Sequence, residues 1–343
     1  MADNLWQAKQ LIKDCLDTKN TYLELGNCGI TDLNDLPELF ECVHLETLIL
    51  SIEWRDSEHF DYSSSENKGR RNELDTIPEK IARLIKLKKL TLGGGYRERW
   101  KIYDCSPLSS LSGLSNLSIR HCHISDLSWL ANLNQLHALD LSVNEIGDIS
   151  VLSNLTHLSH LSLMQNQISE LDGLSGMTRL SHLYLTDNQI SDLRTLSNLT
   201  GLTDLYLAAN EIKDLNGISG LKGLLHIYIS YNQISDLSVL SGLVELSRLI
   251  ISHNHIVDVS SLSNLKSLTR LDLIGNQIQK IPLSVFELGM KINLTEYGGS
   301  GLSLSGNEGL QEPPLDILKQ GRISVLNWFK AKNKRELNEI KVI

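Results

Sequence analysis

The stretch Leu139-Asp-Leu-Ser-Val-Asn144-Glu-Ile146 returns as Leu161-Ser-Leu-Met-Gln-Asn166-Gln-Ile168 and continues in the same phrase to Ile278. Its asparagines, Asn144, Asn166, Asn188, Asn210, Asn232, Asn254 and Asn276, stand 22 residues apart, with isoleucine replacing a leucine in places. A fixed period of this length makes each repeat one structural unit stacked on the next. The leucine-x-leucine pair predicts a short parallel strand with two side chains turned into the core. Where the chain then bends inward, the asparagine amide has a donor and an acceptor for backbone groups of the bend. Leaving such a buried group unpaired costs roughly 1–3 kcal/mol, so the amide must recur at every turn. Ile149, Leu152, Leu155 and Leu158 fill the rest of one coil's interior.

The consensus resembles that of leucine-rich repeats, and it extends toward the N-terminus. Cys122 lies 22 residues before Asn144, and Cys28 lies three after Leu25, so both cysteines take the ladder position. A small buried thiol with a weak S–H donor can stand there. The expected fold is an α/β leucine-rich-repeat solenoid of horseshoe form. Its concave parallel sheet holds about eleven strands, at positions 23, 48, 90, 117, 139, 161, 183, 205, 227, 249 and 271. Residues 1–22 form a helical N-terminal cap, 23–286 the repeats, and 287–332 a C-terminal cap of hairpin plus helix. Residues 333–343 read as a linker or the start of a following domain.

The N-terminal helix rests on Leu5, Ala8, Ile12, Cys15 and Leu16 at helical spacing. Two insertions interrupt the period, at about 53–71 and about 93–100. The first is polar, reads as a mobile loop, and gives way to a repeat opening Asn72-x-Leu74-x-x-Ile77-Pro78. Both leave the C-terminal ends of strands on one rim, where insertions either mark a binding side or are tolerated loops. The aspartates at 32, 126, 148, 192, 214, 236 and 258 follow the repeat isoleucine by two residues and read as caps of the outer turns. Residues 290–304 look like a β-hairpin, and Ile317, Leu318, Val325, Trp328 and Phe329 like a helix.

The net charge of −9 argues against a general nucleic-acid binder. No run approaches 18 apolar residues, and Met1-Ala-Asp-Asn-Leu-Trp6 lacks the basic and apolar regions of a signal peptide. Five cysteines on apolar or ladder positions, without a CxxC, suit a reducing cytoplasm. The charge is uneven: from Glu312 onward seven Lys/Arg face four acids, leaving the tail at +3 and the remainder at −12.

The ending carries a narrower resemblance. Ile281-Pro, Leu288-Gly, Gly301-Leu-Ser-Leu, Gly306-Asn307, Pro313-Pro-x-x-Ile317, Gln320-Gly321 and Val325-x-x-Trp-Phe329 resemble the end of the repeat domain in Roco proteins. There a leucine-rich domain precedes a Roc GTPase and its COR partner, and Glu339-Ile-Lys341-Val-Ile343 is similar to the opening of the first Roc strand. One departure is Asn307-Glu-Gly-Leu310, where the family's pattern is Asn-Pro-Leu. The resemblance implies a non-catalytic regulatory domain that binds a protein partner or its own Roc-COR module, within a parent protein that is dimeric. GTP and magnesium would belong only to the following domain. Two alternatives stay open: a free-standing cytosolic regulator of another enzyme, and a secreted adhesin of the internalin kind.

No GxxxxGK[ST], HExxH or complete GxSxG occurs, so no catalytic residue, cofactor or metal site is expected. What can act is the outward face of the strands. Between the core leucines stand Tyr184, Tyr206, Tyr228 and Ile250; just before each strand's first core residue stand His160, His182, Asp204, His226, Arg248 and Arg270, with Tyr231 beyond. Tyrosine and arginine dominate interface energetics, and an exposed isoleucine has no folding reason, so this face is the expected partner site.

Overall fold

The computed structural model describes residues 5–55, 62–95, 99–295 and 298–340. The chain forms two compact units, Met1–Tyr184 and Leu185–Ile343.

The first unit opens with helix α1 (Trp6–Thr18), which buries Ala8, Ile12 and Cys15 and stops at Lys19 in the left-handed region. Its strands are β1 (Tyr22–Glu24), β2 (Thr47–Ile49), β3 (Glu53–Arg55), β4 (Tyr62–Ser64), β5 (Lys89–Gly93), β6 (Asn116–Arg120), β7 (Ala138–Asp140), β8 (His160–Ser162) and β9 (His182–Tyr184). All but β3 and β4 lie side by side in chain order in one parallel sheet. The pairing keeps Leu139, Leu161 and Leu183 in register, so every coil delivers the same leucine to the core.

The asparagine ladder works as its chemistry requires. Asn166 donates through Nδ2 to the carbonyls of Leu141 and Leu163, both at 3.1 Å, and its Oδ1 accepts the Ile146 N–H at 3.0 Å. Each ladder amide thus ties its own bend to the preceding coil. Cys122 makes a lesser version, its Sγ reaching the Arg120 carbonyl at 3.4 Å. The outer turns are short 3-10 helices, capped by the aspartates: Asp148 Oδ1 accepts the Ser150 N–H at 2.8 Å, and Asp126 does the same for Ser128 at 2.9 Å.

The first insertion is not a free loop along its described length. β3 and β4 pair as an antiparallel hairpin. Ser65 Oγ donates to the Gly26 carbonyl at 3.1 Å, and Asn67 bridges Gln7 at 2.9 Å and Glu24 at 3.1 Å. Polar side chains that read as solvated are therefore spent on β1 and α1; residues 56–61 lie outside the described ones. Asn72 resumes the ladder, donating to Leu25 and Leu50 carbonyls at 2.8 Å each. The second insertion brings Trp100 into the core, where its indole N–H donates to the Asn72 carbonyl at 2.8 Å; residues 96–98 lie outside the described ones.

The second unit contains β10 (Asp204–Tyr206), β11 (His226–Tyr228), β12 (Arg248–Ile250), β13 (Arg270–Asp272), β14 (Ile292–Asn293) and β15 (Gly301–Ser303). Its sheet runs β10-β11-β12-β13-β15-β14, all parallel. Two expectations are corrected here. The segment 290–304 is no hairpin: Leu302 N–H donates to the Lys291 carbonyl and Leu304 N–H to that of Asn293, in a parallel register. Furthermore, Leu302-x-Leu304-x-x-Asn307 is one more repeat, with Asn307 donating to Leu273 and Leu304 carbonyls at 2.9 Å each. The eleven expected repeat strands all form, β14 and β15 take the place of the expected hairpin, and β3 and β4 are additional.

Helices α2 (Leu283–Glu287), α3 (Leu315–Lys319) and α4 (Arg322–Ile340) close this unit, the last two separated by Gly321 at φ 89°. Phe286, Leu318, Val325 and Phe329 are buried, with the two phenylalanine rings 6.1 Å apart. The stretch expected to open a strand ends differently: residues through Ile340 belong to α4, and residues 341–343 lie outside the described ones.

Candidate partner-binding surface

In the second unit the register sets side chains beside one another in two rows, Asp204, His226, Arg248 and Arg270 in one and Tyr206, Tyr228, Ile250 and Asp272 in the other. Parallel strands lie about 4.8 Å apart, which is also a stacking distance for aromatic rings. Tyr206 and Tyr228 accordingly stack with centroids 4.3 Å apart and planes 6° from parallel. Both remain half-buried, so one edge of the pair stays open. Arg248 is exposed beside them, and the Tyr228 phenol, with Asp204 behind it, holds its guanidinium even more firmly charged than usual. His226 Nδ1 lies 2.7 Å from Asp204 Oδ1, and Thr203 donates to the other Asp204 oxygen at 2.8 Å. Asp204 is thereby engaged within the fold.

Farther along, Tyr231 and His253 sit on successive bends with rings 4.3 Å apart and 12° from parallel, and Tyr231 keeps 60% of its surface. Ile250, expected fully exposed, is half-buried between its register neighbours Tyr228 and Asp272. Burial pushes the Asp272 carboxyl up, while the Ile274 N–H at 3.1 Å and the Arg270 charge draw it back. Arg270 contributes a buried Nε without an acceptor.

In the first unit, His160 and His182 stack at 4.3 Å, each ring's Nδ1 within 2.9 Å of its neighbouring serine hydroxyl, Ser159 or Ser181. Tyr184 is corrected: it keeps 8% of its surface and offers a partner little area. No cluster of three or more metal-ligating side chains occurs among the described residues. No described helix is long and apolar enough to cross a membrane.

Two polar groups in this unit escaped the sequence reading. Arg120 and Asp140 form a buried pair at 3.3 Å, and Asp140 accepts the Ser142 N–H at 3.0 Å. Beyond the bends, Tyr103 stacks on His123 at 5.2 Å, and His123 Nδ1 lies 2.6 Å from Glu145 Oε1. The signal for the second was available, since His123 and Glu145 are 22 residues apart and so occupy one repeat position.

Comparison with known proteins agrees with this architecture. The profile of leucine-rich repeats in two copies matches residues 156–198 and 244–285, and a leucine-rich-repeat profile matches 214–256. Among curated proteins none matches the sequence. An internalin (inlF) of Listeria monocytogenes is similar in structure, with a TM-score of 0.70 and 24% identity over 90% of this chain and 87% of its own. Internalin C2 of the same species is 31% identical, with a TM-score of 0.52 over 57% of this chain and 83% of its own. A leucine-rich-repeat protein of Leptospira interrogans shares the fold at 19% identity and a TM-score of 0.51, over 92% of this chain and 96% of its own. A 22-residue period, an amide at each bend and these likenesses converge on one assignment: the chain belongs to the leucine-rich-repeat family.

Proposed function

We propose that the chain is a non-catalytic protein-binding module whose second unit receives a protein partner on the outward face of β10 to β13. The observation that carries this reading is the half-open Tyr206–Tyr228 stack, 4.3 Å between rings, flanked by exposed Arg248 and half-buried Ile250. Rigid aromatics beside an arginine supply contact area at low entropic cost, which is the composition of binding hot spots. Proteins retained by the immobilised parent chain should be lost from the Tyr206→Ala/Tyr228→Ala double variant, while its thermal unfolding stays close to the parent's. Retention of the same proteins at full strength by the double variant would sink the assignment.

A second setting, an adhesin of the internalin kind, is favoured by the 31% identity to internalin C2. Finding glycans on natively produced chain would support it. The matched families and structures lend no support to the GTPase parent that the ending suggests.

A further inference from the structure

The sheet of the second unit ends on β14, whose outer side carries no further strand among the described residues. The carbonyls of Lys291 and Asn293 take the Leu302 and Leu304 N–H groups on the inner side. Strand alternation then turns the N–H and C=O of Ile292 outward, the pattern that templates an added strand. Alongside runs a groove of about 710 Å3, lined by residues 289–295, Ser300 and residues 318–322. That size falls within the roughly 300–1,000 Å3 of ordinary ligand sites. Its charged lining residues are Lys291, Lys319 and Arg322, with no Asp or Glu among them. Lys319 has one carboxylate nearby, Asp316 at 3.7 Å, and Arg322 spends its Nε on the Phe286 carbonyl at 2.7 Å.

We propose that this edge is a second docking site, which takes an extended acidic segment of a partner protein as an added strand on β14. Main-chain bonds to Ile292 supply register, and the three cations select carboxylate-bearing side chains. This mode of recognition combines strand addition with charge complementarity. It is independent of the tyrosine face.

The test uses the full chain and a fluorescein-labelled peptide of alternating glutamate and valine, followed by anisotropy. The acidic peptide should bind, more weakly as salt rises, and its lysine–valine counterpart should not. Lys291→Glu/Lys319→Glu should weaken binding about tenfold or more. Ile292→Pro, which removes only the outward N–H, should also weaken it, with unfolding midpoints near the parent's. A glutamate peptide interrupted by proline serves as control, since it keeps the charge and cannot form the strand. Equal binding of that control or of the lysine peptide, or indifference to the Lys291/Lys319 changes, would overturn the proposal. So would light scattering that finds the parent chain dimeric and its Ile292→Pro variant monomeric, since β14 would then already hold a second copy of this chain.

Discussion

Removing one ladder amide tests how the repeats hold together. Asn254 donates to the carbonyls of Ile229, Ile251 and Ser252 at 3.1, 3.3 and 3.2 Å, and accepts the Ile234 N–H at 3.0 Å. Asn254→Ala removes all four bonds, yet the three carbonyls keep other donors. Asn232 still reaches Ile229, Asn276 still reaches Ile251, and the Tyr231 N–H still reaches Ser252. The one group orphaned in the interior is the Ile234 N–H, so the cost should be that of a single unpaired buried donor, about 2 kcal/mol. Asn254→Cys should be no better, because the natural ladder cysteines reach only a carbonyl, Gly26 from Cys28 and Arg120 from Cys122. Amide hydrogen exchange reads this directly. Exchange at Ile234 should accelerate by roughly 30-fold, the factor corresponding to about 2 kcal/mol, while Ile190, served by Asn210 at 2.9 Å, should be unchanged. Unchanged exchange at Ile234, or equal acceleration at Ile190, would refute the one-donor account.

Val143 holds φ 61°, where a β-branched side chain is strained, so Val143→Asn should raise the denaturation midpoint by about 1 kcal/mol equivalent; a lowered midpoint contradicts the strain. His121 is buried beside Arg120 and Arg99, and burial first, then those charges, push its imidazole down to about 4. The unfolded chain takes that proton near pH 6.5, so stability should be complete above 6.5 and fall as pH drops toward 4. His121→Asn, tolerant of the left-handed bend, should flatten this stretch of a pH–stability curve; a slope equal to the parent's would assign the loss to other groups.

The strands from Leu117 to Leu271, the ladder and the capping aspartates were legible because each answers a need that recurs in every coil. β15 was legible only as one arm of a hairpin and not as a repeat, because Leu302 follows Leu271 by 31 residues instead of 22, and the extra nine hid a complete Leu-x-Leu-x-x-Asn phrase. The parallel course of β14 and β15 was equally hidden, since alternation fixes which side chains point inward but not the direction of pairing. The first insertion looked solvated because Ser65 and Asn67 are polar; only folding shows that they serve Gly26, Glu24 and, in α1, Gln7. Of the candidate surface, the column membership of Tyr206, Tyr228, Arg248 and Ile250 followed from the period. Their exposure did not, because burial depends on neighbours in adjacent coils, as Tyr184 shows.

The bend before each ladder residue is a point of permitted variation. At Val143, Asp187, Ala209, Tyr231 and His253 the backbone is left-handed, and each N–H is held by a carbonyl of the next coil. The main chain thus sets the bend, and five unlike side chains ride on it. Such a position separates specification from display. The core phrase fixes the architecture, and the residue before the asparagine can be exchanged to change what the surface offers while the phrase stays intact. A library varied at these bends alone would explore binding chemistry within a constant fold.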